Sequence, residues 1–113
     1  MKRRITTIDL FAGCGGLSEG FEEAGYYKMV SAVEWDRAPI ECLRNRMKTR
    51  WGMKDADDRI LCFDMQRTDE LLYGWKDDKE YGSSKGLLYY AEKEKNGIDL
   101  IIGGPPCQAY SIA

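Results

Sequence analysis

The sequence has 113 residues, of which 43% are hydrophobic and 32% are charged, and this balance fits one small folded domain rather than a disordered chain. The formal net charge of −2 argues against a large basic surface for nucleic acid, although a site can be locally basic. No apolar stretch is long enough to span a bilayer and no secretory signal is recognisable, so we predict a cytoplasmic protein.

The four cysteines form no CxxC pair, and the sequence has no histidine. A zinc site is therefore not expected, nor any other metal site, and a disulfide framework does not fit the predicted compartment. We interpret Cys14, Cys42 and Cys62 as packing residues.

The first half of the chain alternates between strand-like and helix-like patterns. Residues 4–11 are rich in β-branched side chains and predict a strand. A helix is expected from Leu17 to a stop at Gly25, followed by a second strand over residues 27–35. A longer helix follows, with one apolar face formed by Ile40, Leu43, Met47 and Trp51. The basic cluster in this region is interpreted as a solvated helix face; its members are Arg44, Arg46, Lys48, Arg50 and Lys54.

The second half carries two further strand signals. Residues 59–63 predict a short third strand, and the apolar run over residues 98–104 predicts a buried parallel strand. Between them, residues 68–97 predict mainly a loop, with a short helix near residues 86–95.

This order predicts an α/β fold with an open, mostly parallel sheet and right-handed crossovers. The first strand is expected at the centre, with the second and third strands on one side and the fourth on the other. Ligands of such sheets bind at the carboxyl ends of the strands. The candidate functional residues all follow strands, so we expect them to meet at one edge of the sheet. They are the Gly13 loop, residues 34–36, Asp64 and residues 105–108.

The glycine loop combines Gly13, Gly15 and Gly16 between a strand and a helix, where a ligand can approach the backbone closely. Glu34 follows Gly13 by 21 positions, a spacing that suits hydrogen bonds to ribose hydroxyls. Ser18 departs from the dinucleotide-binding pattern. The loop favours an adenosine ligand, whereas a plain tight turn would explain the glycines alone.

Two more residues fit an adenosine site. Trp35 is suited to stacking on a purine, and Asp64 is suited to accepting from an exocyclic amine. The alternatives are a packed tryptophan and a helix-capping aspartate.

Cys107 follows Pro105 and Pro106, which restrict the backbone and hold one side chain in place. Such a loop suits a nucleophile, because catalytic geometry tolerates little slack. Without histidine, Cys–His chemistry is excluded, and conjugate addition to an electron-poor ring fits better. A buried, inert cysteine is the alternative.

Four segments together resemble the first four motifs of the DNA (cytosine-5) methyltransferases, in the family's order: DLFAGCGGLSEGF, VEWD, FDM and IDLIIGGPPCQAYS. The resemblance covers residues 8–111, except that residues 69–96 match nothing specific. It implies a truncated Rossmann-like fold of the class I S-adenosylmethionine-dependent type, and DNA methylation such as that of restriction–modification.

The resemblance also implies roles for individual residues. Cys107 would be the nucleophile that attacks cytosine C6. Substrate would be bound by Pro106, Gln108 and Ser111. S-adenosylmethionine would be bound by Phe11, Ala12, Gly13, Cys14, Gly15, Gly16, Glu34, Trp35, Asp64, Met65 and Pro105.

The family's ENV motif, its arginine motif and its target-recognition region are absent from these 113 residues. We therefore expect a partial catalytic domain, a fragment or one piece of a split enzyme that is inactive alone and needs a complementing chain to act on DNA. The fourth strand is expected to leave an exposed apolar sheet edge. Two alternatives stay open: a tRNA cytosine-5 methyltransferase and a non-catalytic S-adenosylmethionine-binding module.

Overall fold

The computed structural model describes residues 4–12, 20–21 and 23–103. Residues 20, 21, 23 and 24 are helical, and the remainder of the predicted first helix lies outside the described residues. The ordered elements are β1 (Ile5–Leu10), β2 (Tyr27–Glu34), α1 (Arg37–Trp51), α2 (Ala56–Arg59), β3 (Ile60–Cys62), α3 (Thr68–Tyr73), β4 (Trp75–Asp78), β5 (Gly82–Ser84), α4 (Leu87–Glu92) and β6 (Leu100–Ile102).

The main sheet has four parallel strands in the order β3-β2-β1-β6. The first strand of the chain lies inside the sheet, with the second and third on one side and the last on the other. This arrangement confirms the predicted α/β class, the parallel pairing and the strand order. It follows from short strands linked by helical crossovers, which return the chain in the same direction.

Helix α1 packs the apolar face that the sequence predicted. Ile40, Leu43 and Met47 are at most 1% exposed and lie in one cluster with Met29 and Ala32 of β2. Trp51 packs against the same cluster and is partly buried. Each fully buried side chain of this size contributes about 1.5–3 kcal/mol, so this face anchors the helix to the sheet.

A second cluster of buried residues contains Val30 and Val33 of β2 together with Phe63, Trp75 and Tyr90. Part of this cluster comes from residues 68–97, for which the sequence predicted mainly a loop. That segment forms α3, the antiparallel β4–β5 hairpin and α4. The predicted short helix is confirmed as α4, whereas α3 and the hairpin were not predicted.

Strand β6 pairs with β1, from Thr7–Leu100 to Asp9–Ile102. Within the described residues it has no strand on its other side. Leu100 is 37% exposed and Ile101 is 62% exposed, so the prediction of a buried strand is wrong. The expected exposed apolar edge is present.

Three residues of α1 depart from their predicted roles, and one of them, Arg46, is half-buried rather than solvated. Cys42 is exposed rather than packed. Arg44 is half-buried, and its Nε and Nη2 atoms donate to the Ile60 carbonyl oxygen at 3.0 and 2.6 Å. Lys48 and Arg50 are solvated, as predicted, and pair with Asp57 and Glu23.

Within the described ranges, no helix combines the length and the apolar character needed to cross a bilayer.

Candidate functional site

The carboxyl ends of β1, β2 and β3 lie side by side. Leu10 is in register with Val33, and Glu34 is in register with Cys62. Beyond the strands, the Ala12 N–H donates to the Val33 carbonyl at 3.0 Å and the Phe63 N–H donates to the Glu34 carbonyl at 3.2 Å. The structure therefore brings together Phe11, Ala12, Glu34, Trp35, Asp64 and Met65 at one edge of the sheet.

Phe11 is held in an unusual conformation at this edge. Its φ angle is 60°, in the left-handed region that side chains rarely adopt, and the residue is 40% exposed. Such a conformation costs about 1–3 kcal/mol and persists only when the surrounding structure imposes it. Phe11 lies between the end of β1 and Ala12, whose N–H is bonded to the Val33 carbonyl. Ala12 itself is 8% exposed and packs in the cluster beneath α1.

Glu34 is the last residue of β2, and Trp35 follows it in the turn that leads to α1. The Glu34 Oε2 atom accepts from the Asp36 N–H at 3.0 Å, which orients the carboxylate at the edge. Trp35 is 63% exposed, so its alternative role as a packed core residue is wrong. The Cys62 Sγ–H donates to the Trp35 carbonyl at 3.4 Å, and burial raises the pKa of the Cys62 thiol, so this cysteine stays protonated near neutral pH.

Asp64 lies in the turn after β3. Its Oδ1 atom accepts from the Gln66 N–H at 2.9 Å, and its carbonyl accepts from the Arg67 N–H at 3.1 Å. The side chain therefore stabilises a tight turn ahead of α3 rather than capping that helix, whose N-cap position is occupied by Arg67. Met65 is partly buried against the cluster that contains Phe63.

The strand that leads to the predicted nucleophile ends at the same edge, because β6 is parallel to β1. Gly103 directly follows β6 and packs closely against Leu10. The remaining predicted site residues lie outside the described residues; they are Gly13, Cys14, Gly15, Gly16, Pro105, Pro106, Cys107, Gln108 and Ser111.

Sequence reasoning missed the residues that support these turns. Arg37 donates through Nη2 to the Glu80 carbonyl, and Arg67 pairs with Glu70 and Asp78. The signal for the hairpin was the Asp78-to-Gly82 turn, in which the Asp78 Oδ1 atom accepts from the N–H groups of Glu80 and Tyr81 at 3.0 Å each. In the described part of the chain, no group of three or more His, Cys, Asp or Glu side chains is arranged to hold a metal ion.

Comparison with known proteins places these features in one family. The family model for C-5 cytosine-specific DNA methylase matches residues 5–75, more than half of the chain. DNA (cytosine-5)-methyltransferase 1 of Mus musculus is 30% identical over 96% of this chain, which covers 6% of that protein. DNA (cytosine-5)-methyltransferase 3 of Arabidopsis thaliana is 30% identical over 96% of this chain and 9% of that protein.

A bacterial relative gives the same result. Type II methyltransferase M1.HphI of Haemophilus parahaemolyticus is 33% identical over 96% of this chain, which covers 23% of that protein. The chain thus spans 6–23% of the length of these relatives. The matched region contains β1, β2 and β3 with the edge residues that follow each of them. The chain therefore belongs to the C-5 cytosine-specific DNA methylase family.

Proposed function

We propose that this chain supplies the cofactor-binding half and the nucleophile of an enzyme that transfers a methyl group from S-adenosylmethionine to C5 of cytosine in DNA. The observation that carries the proposal is the convergence of Phe11, Glu34 and Asp64 at the carboxyl edge of the sheet in a chain of this family. Open parallel sheets bind their ligands at this edge.

The described residues fit an adenosine group. Glu34 is suited to accepting from the ribose hydroxyls, and Asp64 to accepting from the adenine amine, because a carboxylate accepts several hydrogen bonds at once. Phe11 and Trp35 offer two exposed aromatic rings that suit contact with the adenine. We assign the rest of the cofactor site to Ala12, Gly13, Cys14, Gly15, Gly16, Met65 and Pro105.

When bound, S-adenosylmethionine supplies an electrophilic methyl group on its sulfonium. We propose that the Cys107 thiolate forms a bond to C6 of a cytosine flipped out of the duplex, with Pro106, Gln108 and Ser111 contacting that base. As this bond forms, the C5–C6 π electrons move through the ring toward N3, and C5 becomes nucleophilic. C5 would then bond to the methyl group while the methyl–sulfur bond breaks and S-adenosylhomocysteine leaves. After methylation, C5 loses its proton to a base, the electron pair restores the double bond, and the S–C6 bond breaks.

The 113 residues contain no ENV motif and no target-recognition region. We propose that the acid that protonates cytosine N3 and the groups that read DNA come from a complementing polypeptide segment. This chain alone then has a nucleophile without an activated electrophile, and a net charge of −2 supplies no substitute for phosphate contacts. The cytoplasmic location and a role in restriction–modification stay predictions.

Incubation of the chain with labelled S-adenosylmethionine and a cytosine-containing duplex tests the dependence on a partner. We expect no transfer above background for the chain alone, and transfer when a polypeptide carrying the later motifs is added. Label transfer by the chain alone would contradict this part of the proposal.

A 5-fluorocytosine duplex tests the nucleophile, because fluorine at C5 prevents release of the thiol. The complemented wild-type chain should form a denaturation-resistant adduct with this duplex, and Cys107→Ser should not. The matched control Cys42→Ser changes an exposed cysteine of α1 and should form the adduct normally. An adduct that persists in Cys107→Ser would exclude Cys107 as the nucleophile.

A further inference from the structure

The β4–β5 hairpin packs directly on the residue that precedes Asp64. The Phe63 and Trp75 rings are stacked with centroids 3.7 Å apart and planes 16° from parallel, and the Tyr81 ring meets Phe63 edge-on at 5.2 Å. The Trp75 Nε1–H donates to the Tyr81 carbonyl at 3.1 Å, which ties the first residue of β4 to the turn of the hairpin. Phe63 is completely buried, so the hairpin covers the residue at which the turn after β3 begins.

Arg67 joins the other end of that turn to the hairpin. Its Nη2 atom lies 2.6 Å from an Asp78 oxygen and 2.7 Å from a Glu70 oxygen, and its guanidinium lies 4.7 Å from the Phe63 ring centroid. Asp78 also accepts the two backbone N–H groups that close the hairpin turn. The Asp78 side chain is 14% exposed, so one carboxylate, shielded from most solvent, organises both the hairpin and the end of the Asp64 turn.

The hairpin also contacts the turn that carries Glu34. The Arg37 guanidinium donates to the Glu80 carbonyl, and Arg37 is the first residue of α1, directly after Glu34, Trp35 and Asp36. Burial raises the pKa of Tyr81, and the nearby carboxylates of Glu80 and Asp64 raise it further. The Tyr81 ring contacts Phe63, the residue directly before Asp64, so the hairpin contacts both polar turns at the edge.

We propose that the β4–β5 hairpin positions the adenosine-binding turns, with Arg37, Arg67 and Asp78 as positioning residues that hold Glu34 and Asp64 in place. This inference rests on the proposed function, because it needs the edge to bind adenosine. It adds a role for a segment that carries none of the family's motifs.

The test compares two probes by isothermal titration calorimetry: S-adenosylhomocysteine and S-inosylhomocysteine, in which a carbonyl oxygen replaces the adenine amine. A well-placed Asp64 favours the amine, so the unmodified chain should prefer the adenosyl compound by about tenfold or more. In Asp78→Asn, the loosened turn should reduce this preference by about threefold or more. A general loss of stability would weaken the binding of both probes equally and leave their ratio unchanged.

The matched control is Lys79→Ala, an exposed residue of the same hairpin that makes no hydrogen bond or ion pair within the described ranges, and it should keep the ratio. If Asp78→Asn does not fold, Arg37→Gln replaces it, because Arg37 is exposed on the first turn of α1. An unchanged ratio in a folded variant would overturn the inference alone. Failure of the unmodified chain to bind either probe would instead overturn the proposed function, and the inference with it.

Discussion

Gly103 packs so tightly against Leu10 that a Cβ atom at position 103 would lie 2.5 Å from the Leu10 carbonyl oxygen. Leu10 is the last residue of the central strand, and Gly103 is the first residue after the neighbouring strand. Only glycine fits here without a backbone shift. The contact fixes the backbone at Gly103 against the end of β1.

We expect Gly103→Ala to lower the free energy of unfolding by about 1–3 kcal/mol, because the added methyl group meets backbone rather than a flexible side chain. Urea denaturation of the purified chain measures this change. Gly20→Ala is the matched control, since Gly20 is helical and an added Cβ there meets no atom within 4 Å. Equal stability of the two variants would contradict the steric argument.

Glu34→Gln should weaken the binding of S-adenosylhomocysteine by about tenfold, because a neutral amide accepts less strongly from ribose hydroxyls and its NH₂ group presents donors. Calorimetric titration gives the dissociation constant. Glu41→Gln makes the same chemical change on the exposed face of α1 and should bind like the unmodified chain. Similar affinities for both variants would remove Glu34 from the proposed site.

The hairpin should lose stability in acid. The Arg67 guanidinium holds the pKa values of Asp78 and Glu70 below their usual range, with the Glu80 and Tyr81 N–H groups adding to the effect at Asp78. A carboxyl whose pKa is lower in the folded state stabilises that state above its unfolded pKa, and this stabilisation is lost as the pH falls below about 4.

Thermal unfolding followed by tryptophan fluorescence between pH 7 and pH 3 measures this loss. The melting temperature of Asp78→Asn should fall less on acidification than that of the unmodified chain. Asp77→Asn removes the adjacent carboxylate, which makes no hydrogen bond or ion pair in the described part of the chain, and should follow the unmodified profile. Identical acid profiles for Asp78→Asn and the unmodified chain would contradict the role of the ion pair.

The apolar edge at β6 should promote self-association. Ile101 is 62% exposed on a strand that pairs on one side only within the described residues, and such edges template further strand pairing. Ile101→Lys should raise the highest concentration at which the chain is still monomeric, as measured by light scattering. Tyr73→Lys places the same charge at a residue that is 73% exposed at the end of α3 and should change little. If the unmodified chain is a monodisperse monomer at high concentration, the edge of β6 does not promote self-association.

The features predicted correctly from the sequence depend on local patterns and general chain geometry. The spacing of Ile40, Leu43 and Met47 defines the buried face of α1 without reference to the rest of the molecule. The parallel pairing follows because connections that contain a helix return the chain in the same direction. The meeting of Glu34 and Asp64 at one edge follows from that pairing, while their roles in binding stay predictions.

The features that were missed depend on contacts between distant residues. Gly74, Gly82, Ser83 and Ser84 favour a loop by their own preferences. The hairpin forms there because Trp75 stacks on Phe63 and Asp78 pairs with Arg67, and neither contact is visible in a local pattern. The apolar run over residues 98–104 wrongly predicted a buried strand for a related reason, since such a run does not by itself reveal whether its strand is central or at an edge.

The position of β1 inside the sheet has a consequence for how the chain folds. One of the two neighbouring strands of β1 comes from residues 100–102, far along the chain. The Thr6 N–H likewise donates to the Asp99 carboxylate, 93 residues later, at 2.9 Å. Closing so long a loop is slow relative to forming helices such as α1. We therefore expect the sheet to be completed late, with β1 paired only with β2 until β6 docks.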